Sequence, residues 1–496
     1  MKRCIFNIPR CIMAVLVCVC AFGNLFPFLN IDLGFVIMTP FRFVLALVSI
    51  FCVGLWIRRI KQKQALQMLK NMRLELGVLC FLIVWLALGV AQIVFAGNRT
   101  GAVTEITGIL TICMLAFCAF TLIKSSKDMD FLLDLLVLCG VIFALLAWVE
   151  MAVGNFVPGT KYYFTLEQRI EQGRIFFPPT IVFHNPNDFA AFLLLCLSVV
   201  CYRVISAKTT EKLLLGIVVA LVLIAPAVVI NSTFFNLFTG CLVVITVAAI
   251  LLVKSISWKT RVLRATGVCL VAIIFALFIT GGIRNAAVQL NRSYFTEKIQ
   301  AYYNEKKDDI DAPTQDVTQE STEGMDILDG FDNGQDTDNL LTQLDALKEN
   351  RGTVYIRLNL MRAGVDFWLE SPIFGNGPAS FVEKMQNSEY HRNQTAQIVD
   401  PHCFYFELLT QYGAVLFVAY MGIVLYVAVK SLLRTIRQIR GGVPARGLLS
   451  LLMIGMFSLA VFIPSSCIRF TNIWVFLIFA ICVYCKDKSV THNENG

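Results

Sequence analysis

Residues 76–96 read LGVLCFLIVWLALGVAQIVFA, 21 positions without a charged side chain, and they follow the basic stretch RRIKQKQALQMLKNMR at 58–73. At a rise of about 1.5 Å per residue, a helix of that length crosses a hydrocarbon core of about 30 Å. Hydrocarbon supplies no partners for backbone N–H and C=O groups, and a helix satisfies them within itself. Outward from this run the pattern repeats. Twelve apolar runs, at 11–30, 35–56, 76–96, 102–123, 131–153, 181–201, 213–231, 236–253, 265–282, 403–429, 447–464 and 470–485, are separated by charged segments. With 57% hydrophobic and 15% charged residues among 496, and a mean hydropathy of +0.70, the chain is too apolar for a soluble protein. It reads as an all-α polytopic membrane protein of about twelve transmembrane helices.

The first run follows Lys2, Arg3 and Arg10 as a signal peptide would, but Pro27 lies near its end and no convincing small-residue cleavage site follows, so it reads as a retained helix. Orientation follows from the short loops that keep Lys and Arg. With a cytoplasmic N-terminus, the inner segments are 58–73, KSISWKTRVLR (254–264) and KSLLRTIRQIRGGVPAR (430–446), all basic, while the outer short loops around Arg99 and Arg469 hold few cations. Both termini are then cytoplasmic, and the net charge of +8 reports topology and not nucleic-acid binding. Most of the 17 cysteines, among them Cys18, Cys20, Cys113, Cys118, Cys196 and Cys482, lie inside apolar runs and behave as small hydrophobes. Only Cys403 and Cys467 approach the outer side, and the four histidines are too scattered for a metal-ligand spacing.

The expected organisation is nine helices over 1–282, a large extracytoplasmic loop over 283–402, helices ten to twelve over 403–485 and a cytoplasmic tail over 486–496. Outside the cell ATP and nucleotide sugars are absent, so a group transfer there uses a donor already activated in the membrane. Within the loop, residues 297–349 hold fifteen acidic side chains against four basic ones and read as a flexible solvated insert. From 351 the character changes: in RGTVYIRLNLMRAGVDFWLESPIFGNGPASF, Leu358, Met361, Val365 and Leu369 recur at helical spacing. An amphipathic helix over about 353–370, lying on the outer leaflet and stopping near Ser371 and Pro372, is predicted. The turn GNGP at 375–378 follows, its Gly375 and Gly377 free to take positive φ.

Three sets of residues carry candidate chemistry. Arg169, Arg174, Arg284, Arg292, Arg357 and Arg362 supply guanidinium groups on the outer side, and two or three converging would clamp a diphosphate through charge-assisted, bidentate hydrogen bonds. Singly, each is as well explained by lipid headgroups or neighbouring carboxylates. His402, in DPHCFYFELLTQYG (400–413), has an ordinary pKa that suits a general base; as an alternative it bonds the backbone at a helix start that Asp400 caps. Glu407 lies five residues on, about 140° round a helix, and is a weaker partner. In RIFFPPTIVFHNPNDFAAFLLL (174–195), Asn185 and Asn187 bracket a proline before Asp188: a helix cap, a set of sugar-binding amides, or both.

In this order the elements resemble the bacterial O-antigen ligase and polysaccharide polymerase family, and within it the teichuronic acid biosynthesis polymerases. The likeness rests on FHNPNDFA (183–190) at the start of a mid-chain run, a large loop with an arginine helix and then PIFGNGP (372–378), and His402 ahead of Gly413. It covers roughly residues 170–430. The resemblance implies a glycosyltransferase of the bacterial plasma membrane that elongates undecaprenyl-diphosphate-linked glycans, without cofactor or metal and with inversion at the anomeric carbon. It makes Arg357 the residue on the diphosphate and His402 the base, with Arg174 and Arg362 as further anion ligands. A flippase and a chain-length protein are the implied partners, besides membrane lipid. Two positions depart from the family pattern. NSTFFNLFTG (231–240) lacks the arginine of a Ser-Arg pair, so another arginine must take its place, and Cys403 follows His402 where asparagine is usual. Ligation of a finished chain to another acceptor would use the same chemistry. A transporter or lipid flippase is a different class, for which Arg42 and Glu150 are the candidate intramembrane charges, although no matching halves are visible.

Overall fold

The structure is a computed structural model and describes residues 7–22, 29–32, 37–153, 178–183, 185–230, 233–252, 257–279, 281–283, 285–287, 289, 353–395, 397–440 and 446–493. Apart from a two-residue ladder pairing Ile31 with Met38 and Asp32 with Ile37, its regular elements are helical. The first ten helices are α1 (Ile8–Phe22), α2 (Pro40–Lys61), α3 (Ala65–Asn71), α4 (Arg73–Gln92), α5 (Arg99–Leu122), α6 (Ser126–Val153), α7 (Pro186–Ile205), α8 (Thr210–Ile230), α9 (Thr233–Leu252) and α10 (Trp258–Ile274). After the long loop come α11 (Thr353–Glu370), α12 (Ser380–Asn387), α13 (Glu389–Gln394), α14 (Phe404–Arg440), α15 (Arg446–Ala460) and α16 (Trp474–Asn493).

An apolar helix stands at each of the twelve runs, but not every one has the length of a membrane span. Among the described residues nine are long and apolar enough to cross a membrane, and Ile8–Phe22, Arg446–Ala460 and Thr471–Lys486 are apolar but shorter. α15 stops at Ala460 because Pro464 cannot continue a helix, and residues 461–469 form a turn instead. α7 is the axis of the bundle, with 94% of its apolar window buried, and α6, α8, α9 and α15 pack around it. Helices at the rim keep Ile50, Val84, Leu215 and Leu263 exposed, which suits lipid as the surrounding solvent.

Asn185 caps α7, its side chain accepting from the Asp188 amide, with Pro186 in the first turn. The cap predicted at Asp400 is not there: α14 starts at Phe404, four residues too late. α11 keeps its predicted bounds, but Leu358 and Leu369 face outward. The face turned to the protein carries Arg357, Leu360, Ala363 and Phe367, the last three in one apolar cluster with Phe381 and Met385 of α12.

α14 is broken at Gly413, whose φ of 75° and ψ of 178° lie where only glycine is at ease. The segment 372–377 fills the break. The amides of Asn376 and Gly377 donate to the carbonyls of Thr410 and Gln411 at 2.9 and 2.8 Å, and Ala414 donates to the Pro372 carbonyl at 2.9 Å. Backbone groups orphaned by the break are thereby satisfied from outside the helix. The approach is so close that a Cβ on Gly375 would run into the Gln411 carbonyl, and one on Gly413 into that of Ile373.

Candidate active site

The turn at 461–469 gathers the predicted residues. Its Ser465 accepts the His402 amide on the carbonyl at 2.9 Å and the Asn185 side-chain amide on Oγ at 3.1 Å. Val461 accepts the Phe404 amide at 3.2 Å, and the Phe462 carbonyl accepts from the Arg357 guanidinium. Asn185, Arg357 and His402, distant in sequence, are thus tied to Phe462 and Ser465 of one turn. His402 is half-buried and has φ of +49°, a left-handed conformation that costs a residue with a Cβ and that the bond to Ser465 holds in place.

Arg357 is 5% exposed. Its guanidinium lies over the Phe234 ring at 4.8 Å, and that ring stacks on Phe462 at 6.4 Å. Burial pushes Arg357 down to about 10, so it remains a cation at neutral pH. Among the described residues no carboxylate forms an ion pair with it. A buried charge that lacks a counter-ion is costly, and an anion brought by a ligand would remove that cost. The neighbouring Cys403 is pushed up to about 12 by burial and stays a neutral thiol. The stretch without the expected arginine, 231–240, therefore contributes an aromatic support for Arg357.

The other predicted residues are placed differently. Arg362 is exposed and lies five residues from Arg357, about 140° round the helix. Arg174 falls outside the described residues, as do Arg169, Arg284 and Arg292. Asn187 is half-buried in the first turn of α7. Gly375 and Gly377 belong to the plug in the α14 break, with φ of +77° and +95°. Glu407 is fully buried and accepts from the Ser466 hydroxyl and, at 3.1 Å, from the Cys467 amide. Among the described residues no three His, Cys, Asp or Glu side chains converge as a metal site.

Sequence reasoning missed Glu105 and Arg469. Glu105 of α5 is 1% exposed, accepts the Ala379 amide at 2.8 Å and pairs with Arg469 at 3.5 Å. Ala379 directly follows PIFGNGP, so the carboxylate pins the end of the plug. The signal was a lone carboxylate inside an apolar run, the feature noted for Glu150. Glu150 does similar work: its oxygens accept from the amides of Thr180 and Ile181 at 2.8 and 2.7 Å, just ahead of FHNPNDFA.

Residues 237–421 match the family model described as O-antigen ligase. That match supports the O-antigen ligase family. The matched stretch, less than half of the chain, runs from α9 to the middle of α14 and contains Arg357, the plug and His402. It indicates O-antigen ligase- or polymerase-like glycosyl transfer in a multi-pass membrane protein, bacterial by family, with a lipid-linked oligosaccharide as substrate. No curated protein matches the chain significantly.

Proposed function

We propose that this protein polymerises undecaprenyl-diphosphate-linked repeat units at the outer face of the plasma membrane, making a teichuronic acid-like or other cell-surface glycan. An acceptor hydroxyl oxygen attacks the anomeric carbon of the donor sugar from the face opposite the diphosphate, and its proton passes to the His402 imidazole. The bond from the anomeric carbon to the diphosphate oxygen breaks, and the electron pair leaves with the lipid diphosphate. Arg357 stabilises the charge that grows there, as a metal ion would otherwise do, and the anomeric configuration inverts. In this scheme Asn187 offers its amide to sugar hydroxyls while the buried Asn185 holds Ser465, and Arg174 and Arg362 serve as further anion ligands.

One observation carries the reading: Arg357 is a buried cation, free of carboxylate ion pairs among the described residues, and it donates to the turn that also holds His402. The matched family is described as a ligase, so transfer of a finished chain to a different acceptor is the second reading, with the same residues in the same roles. For a transporter, Arg42 and Glu150 are the candidate intramembrane charges; Arg42 donates to the Ile37 carbonyl at 2.7 Å, and the Glu150 carboxylate is engaged by the backbone of the 180–181 turn. The deciding experiment supplies purified protein with lipid-linked repeats, without ATP or divalent metal, and reads product length on a gel. A polymerase gives a ladder that His402→Ala and Arg357→Ala both abolish at unchanged expression. Full ladders from both variants would remove the assignment, and flipping without elongation would restore the transporter.

A further inference from the structure

A cavity lies along α11, away from the turn that holds Arg357 and His402. It is an open cleft of about 550 Å³ between the end of α4, the C-terminal half of α11 and α12–α13. Its uncharged polar lining is Asn376, Ser380, Asn387 and Ser388; Asn376 Nδ2 donates to the Phe367 and Thr410 carbonyls, Ser380 Oγ donates to the Gly377 carbonyl and Ser388 Oγ accepts the His391 amide, which holds their side chains in place along the wall. Phe95, the last residue of the membrane-spanning stretch that starts at Arg73, stands at its edge 84% exposed. Two carboxylates, Glu370 and Glu383, face one ammonium, Lys384, and Lys384 is already paired to Glu370. His391 completes the wall, with Asp366 at 3.8 Å behind it.

Amides and hydroxyls around an open aromatic face fit a ligand rich in hydroxyl groups with apolar C–H faces. The surplus of carboxylate disfavours phosphate, uronate and anionic lipid headgroups. From Arg357 to Phe367, which lines the cleft, the helix rises about 15 Å, so an occupant lies several sugars away from the reacting bond. We propose that this cleft is a remote subsite for an uncharged stretch of the glycan. The inference rests on the glycosyl-transfer reading for the identity of its occupant. Binding there holds the chain while the far end reacts, and such remote contacts raise the rate of transfer without touching the reacting atoms. The repeat unit elongated by this protein then presents at least one uncharged sugar to α12.

The test uses the full chain in lipid nanodiscs over a printed array of neutral and uronate-bearing oligosaccharides. Retention on neutral spots is expected, weakened about tenfold by Phe95→Ala and by Asn387→Ala, both truncations of exposed side chains. His402→Ala should bind the array as the natural protein does while losing elongation. Neutral binding that both cleft variants leave intact, a preference for uronate spots, or no retention on any spot would each overturn the subsite. Failure of the polymerase reading looks different: His402→Ala would still elongate, whatever the array shows.

Discussion

On the side of the bundle away from the long loop, carboxylates meet cations. Asp130 pairs with Arg203 at 3.6 Å and Arg446 at 2.6 Å, Asp134 with Arg203 at 2.8 Å, and Glu75 with Lys486 at 3.4 Å. On the loop side, buried carboxylates meet backbone, Glu105 while also pairing with Arg469 at 3.5 Å, and a cation pair such as Glu370 with Lys384 lies at the surface. Glu105 takes the Ala379 amide, Glu150 the amides of Thr180 and Ile181, and Glu407 that of Cys467. Each of these amides lies next to a segment that the candidate site needs: Ala379 after the plug, Ile181 before FHNPNDFA, and Cys467 two residues after Ser465. Pairs of the first kind tie one helix to another. Bonds of the second kind fix the course of a turn, and a carboxylate accepting amides in an apolar setting does so firmly. One rim is built to hold the bundle together and the other to hold loops in a shape.

The largest effect that this contrast predicts is on chemistry alone. His402→Ala should lower elongation by about 10² to 10⁴-fold, the range of a lost general base, with thermal stability changed little. The backbone bond from residue 402 to Ser465 survives the substitution. Elongation near that of the natural protein would show that the loop rim is shaped for something other than this reaction.

Next come the carboxylates that shape it. Glu407→Leu leaves the Ser466 hydroxyl and Cys467 amide buried without their acceptor, and should cost about 3 kcal/mol of stability together with most of the activity. Glu407→Gln, which keeps an acceptor for the amide, should recover much of both. A Leu variant that melts with the natural protein would erase the distinction between the two rims.

The legible and illegible parts of the molecule divide along the same line. Apolar run length made the all-α polytopic class legible, with nine helices among the described residues long and apolar enough to span, because burial in lipid constrains every residue of a run at once. α11 was legible from its period and from Pro372. His402 and Arg357 stood out by residue type and through the family likeness. What composition does not show is which long-range partner a polar side chain finds. The plug of 372–377 in the Gly413 break depends on four backbone bonds across some forty residues, and Glu105 depends on Ala379, 274 positions away. The stripe of Leu358 and Leu369 was read correctly as helical, but α11 has a second apolar face in Leu360, Ala363 and Phe367, and periodicity does not say which of them turns inward.

Arg357→Lys probes the site more gently. Lysine keeps a cation over the Phe234 ring but loses the planar fork that can grip a diphosphate while donating to the Phe462 carbonyl. Elongation should fall about tenfold through weaker donor binding, seen as a raised KM, and Arg362→Ala, at an exposed position, should have a smaller effect. Equal losses from both would place the anion contact over the whole outer face of α11 and not at the buried guanidinium beside the turn.

The smallest effect belongs to the opposite rim. The Asp134 side chain is 61% exposed and its Arg203 partner 34%, so their attraction acts through a medium close to water and is screened by salt. Asp134→Asn should therefore cost under about 1 kcal/mol, and the difference should vanish in a melting experiment at high ionic strength. Arg203 also keeps its contact with Asp130, which in turn holds Arg446, so the helices stay tied when one member of the set is lost. Glu407→Leu offers no such relief, because among the described residues Glu407 is the carboxylate that accepts the Cys467 amide and salt does not reach a fully buried group. The ratio of the two losses, measured in one buffer series, separates helix tethering from loop shaping more sharply than either variant alone.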